Sequence, residues 1–182
     1  MRHLMIVGDL FEDVECLATL DVLKRGGEEV VLASMMGRID VVTKCGIRLD
    51  CDDVIENIDS DSFDSLIIPG GPGSFKILAF NTRVDELIDT FAKKNKLVAS
   101  ICAAPMLVGR RGYFENRNYT VHPGFENQIR GGTYIRSEGV VVDGNYISAK
   151  SMYYSVKFGL AIYNYYYGDE KTKKLKLSLQ GE

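Results

Sequence analysis

Short apolar runs alternate with amphipathic segments almost throughout the chain, the pattern of a parallel sheet covered on both faces by helices. "HLMIVG" predicts a first strand. "EDVECLATLDVLKRGG" follows as a helix, with acids suited to its N-terminus and Lys24, Arg25 and two glycines closing it. "EVVLASMM" predicts a second strand, and "VVTKCGIRLDCD" a hairpin or an edge excursion. "DSLIIPGG" is a buried strand ending in a glycine-rich turn before a helix. In "RVDELIDTFAKKN", Val84, Leu87, Ile88, Phe91 and Ala92 share one helical face. After the strand "LVASI" and a further helix, "YTVHP", "TYIRSE" and "VVVDGNYISA" read as strands, the last broken by a tight turn at Asp143-Gly144. "MYYSVKFGLAIYNYYYG" predicts a closing helix stopped by Gly168. No repeat or linker interrupts the pattern. The expectation is one domain over residues 1–182, an α/β fold with a doubly wound, mostly parallel sheet.

Composition narrows the function classes. Hydrophobic residues make up 46% and charged residues 26% of the 182, the balance of a soluble globular chain. No apolar run reaches membrane-spanning length, and the N-terminus lacks a cleavage signal, so neither a membrane nor export is expected. The formal net charge is −3 with dispersed basic residues, which argues against a nucleic-acid partner. The exception, "KTKKLK", reads as a solvated tail segment. Four cysteines, Cys16, Cys45, Cys51 and Cys102, form no CxxC pair and no zinc-like spacing with histidine. No metal or other cofactor is expected, and reduced thiols suit a cytoplasmic location.

Reactive groups in such sheets gather at the carboxyl ends of the strands. Four features converge there: Glu15 after the first strand, Gly70-Gly71 after "LIIP", Cys102 after "LVASI", and His122 at the end of "YTVH". A strand-to-helix elbow requires small neighbours two residues either side of its nucleophile, and Ser100 and Ala104 occupy those positions. The N–H groups of a following helix would stabilise a thiolate and lower the cysteine pKa. Cys102 is therefore read as reactive, and Cys16, Cys45, Cys51 and His3 as structural.

These residues resemble the ThiJ/PfpI family of the class I glutamine amidotransferase-like superfamily, whose sandwich is flavodoxin-like. "ASICAAP" is similar to its nucleophile elbow, "LIIPGGPGS" to its oxyanion-loop strand and "FEDVE" to its acidic first-helix motif. "VHPGFENQIRGGTYIRSEGVVVDGNYISA" is similar to its histidine strand and hairpin, and the likeness runs from about Leu4 to Gly168. By position, the resemblance implies Cys102 as nucleophile, Glu15 as its companion acid and His122 as the nearby histidine. It implies oxyanion donors in the Gly71 and Ala103 amides, with Gly70 beside them, and a homodimer. An ionised glutamate would repel a thiolate, so Glu15 is expected to be protonated and hydrogen-bonded to sulfur, the two titrating as a pair.

Departures select a branch. His122-Pro123-Gly124 replaces the amidotransferase H-x-E, and Ala103 stands where the peptidase branch has histidine. The remaining likeness is to the deglycase and glyoxalase branch, which implies a cofactor-independent cysteine enzyme acting on small 2-oxoaldehydes or glycated substrates. The alternative is a redox-sensing stress or chaperone-like protein whose cysteine is oxidised to sulfinate. Ala104 and "KSMYYS" replace that branch's glycine and Gly-Pro-Gly-Thr segment, so Met152, Tyr153 and Tyr154 are expected to narrow the pocket.

Overall fold

A computed structural model describes residues 1–182. In chain order the elements are β1 (Arg2–Val7), α1 (Asp13–Arg25), β2 (Glu29–Ser34), β3 (Asp40–Val42), β4 (Arg48–Asp50), β5 (Asp53–Val54), β6 (Ser65–Ile68) and α2 (Pro72–Lys76). There follow α3 (Thr82–Lys93), β7 (Leu97–Ile101), α4 (Pro105–Gly109), β8 (Asn118–Tyr119), β9 (Thr133–Tyr134), β10 (Val140–Asp143), β11 (Tyr146–Ala149) and α5 (Ser155–Gln180). Seven strands form the main sheet in the order β10-β11-β7-β6-β1-β2-β5. Every neighbouring pair is parallel except β10 with β11.

Strand periodicity divides the core. In β1, Leu4 and Ile6 pack on one face with Val84, Leu87, Ile88 and Phe91 of α3, while Met5 and Val7 pack on the other with Val22 and Leu23 of α1 and Phe158 and Ile162 of α5. Burying each of these large side chains is worth about 1.5–3 kcal/mol. The doubly wound expectation therefore holds, and the central strands are buried on both faces as parallel strands require. No helix is long and apolar enough to cross a membrane.

Local differences have local causes. "VVTKCGIRLDCD" forms the antiparallel β3–β4 hairpin, outside the main sheet. "YTVHP" and "TYIRSE" do not form full strands: only Asn118–Tyr119 and Thr133–Tyr134 pair, as a short parallel ladder. His122 consequently lies in a loop beyond β8. His3 is fully buried, with Ser65 Oγ 2.6 Å from Nδ1 and Glu28 Oε2 3.2 Å from Nε2.

Gly168 does not end the last helix. It breaks α5 with φ 74° and ψ 175°, and the helix resumes. "KTKKLK" is thus helical, with Leu175 buried against the α1 face of the sheet and its four lysines exposed. The start also differs, because Met152–Tyr154 is a 3₁₀ turn preceding the helix. Gly168's dihedrals are open essentially to glycine alone, so Gly168→Ala should lower stability by about 1–3 kcal/mol. A urea midpoint displaced downward with unchanged slope would verify this, since a Cβ there meets nothing within 4 Å and no clash contributes.

Candidate functional site

Three residues close a ring of hydrogen bonds between the end of β6 and the start of α1. The Glu12 N–H donates to the Gly70 carbonyl at 3.1 Å. Glu12 caps α1 by accepting the Glu15 N–H on Oε2 at 2.8 Å, and Glu15 Oε2 accepts the Gly70 N–H at 2.9 Å. Glycine is required at position 70 by this approach, because a Cβ would lie 2.6 Å from both Glu15 Oε2 and the Cys102 Cβ. Glu15 is therefore a carboxylate driven inward and held by a backbone amide. It is 1% exposed.

Cys102 sits at the elbow between β7 and α4 with φ 65°, a left-handed conformation worth about 1–3 kcal/mol of strain in a non-glycine residue. Its N–H donates to the Ala149 carbonyl at 2.8 Å, and its carbonyl accepts the His122 N–H at 2.8 Å. The elbow is thus held from both sides. The Cys102 side chain lies beside the Glu15 carboxyl, both being 2.6 Å from where a Cβ on residue 70 would stand, and the Gly71 and Ala103 amides act on the sulfur in favour of its thiolate.

Electrostatics reverse one expectation. The two amides favour a thiolate, but burial, then the Glu15 charge and hydrogen bond, outweigh them and push the Cys102 thiol up to about 12. The helix following the elbow is too short to compensate, spanning only Pro105–Gly109. Burial raises the Glu15 carboxyl to about 7, with Glu12's negative charge adding to it and the Cys102 and Gly70 hydrogen bonds and Lys44 opposing. The first proton leaves the pair near neutrality, from Glu15, and the second stays on the Cys102 sulfur.

A cavity of about 370 Å³ opens over this pair, lined by Glu12, Glu15, Lys44, Gly71, Phe75, Cys102, Ala103, His122, Phe125 and Met152 among others. Gly70 lies behind the wall as the support of Glu15. His122 is exposed at the rim, its Nδ1 3.1 Å from the Pro123 carbonyl oxygen and its ring edge-on to Phe125. Of the three expected pocket residues from "KSMYYS", only Met152 faces the cavity. Tyr153, 85% exposed, and Tyr154 line a separate groove along α5, because the 3₁₀ turn sends successive side chains in different directions. Sequence reasoning missed Glu12, Lys44, Phe75 and Phe125 as cavity residues. Glu12 carried a signal in its place three residues before Glu15, the spacing of a helix cap. Lys44 carried none, since the hairpin's docking is tertiary.

Residues 1–164 match the DJ-1/PfpI family. The chain belongs to that family. Among its DJ-1/PfpI relatives, it is 34% identical over 169 residues to a glutathione-independent glyoxalase of Caenorhabditis elegans, covering 90% of this chain and 87% of that one. It is 33% identical over 151 residues to a deglycase of Pyrococcus abyssi, covering 82% and 90%. It matches DJ-1 homolog B of Arabidopsis thaliana at 31% identity over 173 residues, spanning 94% of this chain but only 39% of that relative's length. The solved structure of an oxidized Toxoplasma gondii DJ-1 superimposes with a TM-score of 0.89 at 26% identity over 98% of this chain and 97% of the other.

The Glu15 charge makes Cys102 alkylation depend on Glu15. In the native protein, iodoacetamide labelling of the Cys102 peptide should rise only well above neutral pH, where the buried thiol ionises against the Glu15 carboxylate. Glu15→Gln should move that rise to lower pH, because the opposing charge is gone; mass spectrometry of the labelled peptide measures both.

Proposed function

We propose that this chain is a cysteine enzyme converting small 2-oxoaldehydes such as methylglyoxal to 2-hydroxy acids, as a free-aldehyde glyoxalase or on the glycated adducts a deglycase takes. The observation that carries the reading is the Cys102–Glu15 contact beside two converging amides in a small cavity. The relatives named glyoxalase and deglycase support it.

The chemistry follows from one proton and two amides. Glu15 takes the thiol proton as sulfur attacks the aldehyde carbon, forming a C–S bond and an oxyanion. The Gly71 and Ala103 N–H groups receive that oxyanion, which then takes a proton to give a hemithioacetal. Glu15 next carries the proton from C1 to C2, so that C1 is oxidised to a thioester while C2 is reduced to an alcohol. Water cleaves the C–S bond, releasing the hydroxy acid and restoring the thiol. The redox change is internal to the substrate. The apolar side of the cavity, Phe75, Phe125 and Met152, suits a short alkyl group and limits its length.

A second reading is favoured by the same amides. Cys102 oxidised by two equivalents of peroxide, each leaving as water, would form a sulfinate whose oxygens face the Gly71 and Ala103 N–H groups, with a protonated Glu15 as a further donor. The likeness to an oxidized DJ-1 supports this as a regulatory fate of the site. Cys16 and Cys51 are buried away from the cavity, whereas Cys102 opens into it beside the two amides, so this reading requires oxidation to concentrate on Cys102.

Purified protein should consume methylglyoxal and release lactate, with Cys102→Ala lowering kcat/KM by at least about a hundredfold. Turnover persisting in that variant would defeat the assignment. Intact-mass analysis after mild peroxide tests the second reading, which requires a gain of two oxygens confined to the Cys102 peptide.

A further inference from the structure

Met152 is the exposed member of the cavity's apolar side. Phe75 and Phe125 are half-buried and packed against the core on the α3 side of the sheet, with ring centroids 5.2 Å apart. Met152 is 48% exposed and stands on the 3₁₀ turn that precedes α5. An unbranched thioether side chain adapts to the space left beside it. The two phenylalanines are thus a fixed wall, and the width open to a substrate depends on where the turn carries Met152.

That turn is pinned on both sides. The Ala149 carbonyl accepts the Cys102 N–H at 2.8 Å, so the chain leading into the turn is tied to the elbow itself. The Lys150 N–H donates to the Gly139 carbonyl at 2.9 Å, the Tyr154 N–H to the Ser151 carbonyl at 2.9 Å, and Ser155 Oγ to the Met152 carbonyl at 2.7 Å. Tyr154 then crosses back towards β10. Its ring fills the space that a side chain on residue 139 would need, with Cδ1, Cε1 and Cζ all too close for a Cβ to fit. Gly139 is not left-handed, so the ring alone excludes a side chain there. The seat is firm, because the neighbouring Glu138 carbonyl accepts Thr120 Oγ1 at 3.0 Å. Tyr153 supports the wedge from the solvent side, its ring edge-on to Tyr154 with centroids 5.1 Å apart.

We propose that Met152 is the wall that sets substrate size at Cys102, and that Tyr154, wedged on Gly139 outside the cavity, is the residue that positions it. The site then accepts 2-oxoaldehydes carrying hydrogen or a methyl group and discriminates against those carrying an aryl group. The proposal rests on the reading that oxoaldehydes react at Cys102. Tyr154 touches no substrate; it holds the turn, and its contact is made by the ring and not by the hydroxyl. A tyrosine suits this task because its large ring is fixed by only two torsions and loses little freedom on docking.

The experiment uses the full chain with Met152→Ala, Tyr154→Ala and Tyr154→Phe. Values of kcat/KM are measured for methylglyoxal and phenylglyoxal. In parallel, alkylation of the Cys102 peptide by iodoacetamide and by its N-benzyl derivative is compared at one fixed pH. Both reagents meet the same thiolate fraction, so their ratio reports access and not ionisation. Met152→Ala and Tyr154→Ala should each raise the large-to-small ratio about tenfold in both assays, whereas Tyr154→Phe, which keeps the ring, should stay at the native ratio. A tyrosine with a merely structural role would lower both rates together and leave the ratio unmoved. Cys16 is fully buried, so label on its peptide identifies unfolding; should Tyr154→Ala show it, Tyr154→Leu, which keeps apolar bulk without the ring, replaces it. Unmoved ratios in Met152→Ala overturn the proposal, and ratios raised in Met152→Ala but native without the Tyr154 ring overturn the part assigned to Tyr154. Absence of methylglyoxal turnover in the native protein would defeat the proposed function, while the alkylation ratios still judge the wall.

Discussion

The hydrogen-bonded ring of Gly70, Glu12 and Glu15 is the constraint on which the rest of the site depends. A carboxylic acid held away from water needs donors, and Glu15 finds one in a backbone amide at the end of β6. The ring joins a strand end to a helix start, so the sheet register fixes the acid as firmly as it fixes the core. Removing Glu12's cap would loosen α1 by about 1 kcal/mol in stability, and it would also release the backbone from which Glu15 projects.

The elbow is held in the same way. The backbone of Cys102 stays left-handed because β11 and the loop after β8 each take one of its hydrogen-bonding groups. Strain of this size is small beside the burial of the two cores that flank the sheet, and it turns the sulfur towards two amides. The consequence for reactivity is a thiol that is not acidic by itself.

Much of this was legible in the sequence. The parallel sheet, the α1 and α3 helices, the β10–β11 hairpin and the place of Cys102 after a buried strand follow from period and punctuation, and the structure bears them out. Tertiary effects governed the rest. Nothing local announces that Lys44 will reach the cavity, because the hairpin is docked by bonds to Phe11 and Asp13, residues distant in sequence. Tyr153 and Tyr154 were misplaced because a 3₁₀ turn, with its tighter rotation, stands where helical spacing was expected. The cysteine pKa was misjudged because helix-end stabilisation can be estimated from sequence, whereas desolvation depends on what packs around the sulfur.

The first turn of α1 carries three separate duties on adjacent positions: Glu12 caps the helix, Asp13 clamps the hairpin turn, and Glu15 faces the sulfur. An α-helix advances about 100° per residue, so inserting or deleting one residue here would rotate all three side chains away from their partners together. Single substitutions remove one duty and leave the others, whereas a change of length removes all of them at once. A change of spacing between Leu10 and Glu15 is therefore more damaging than any single altered letter there.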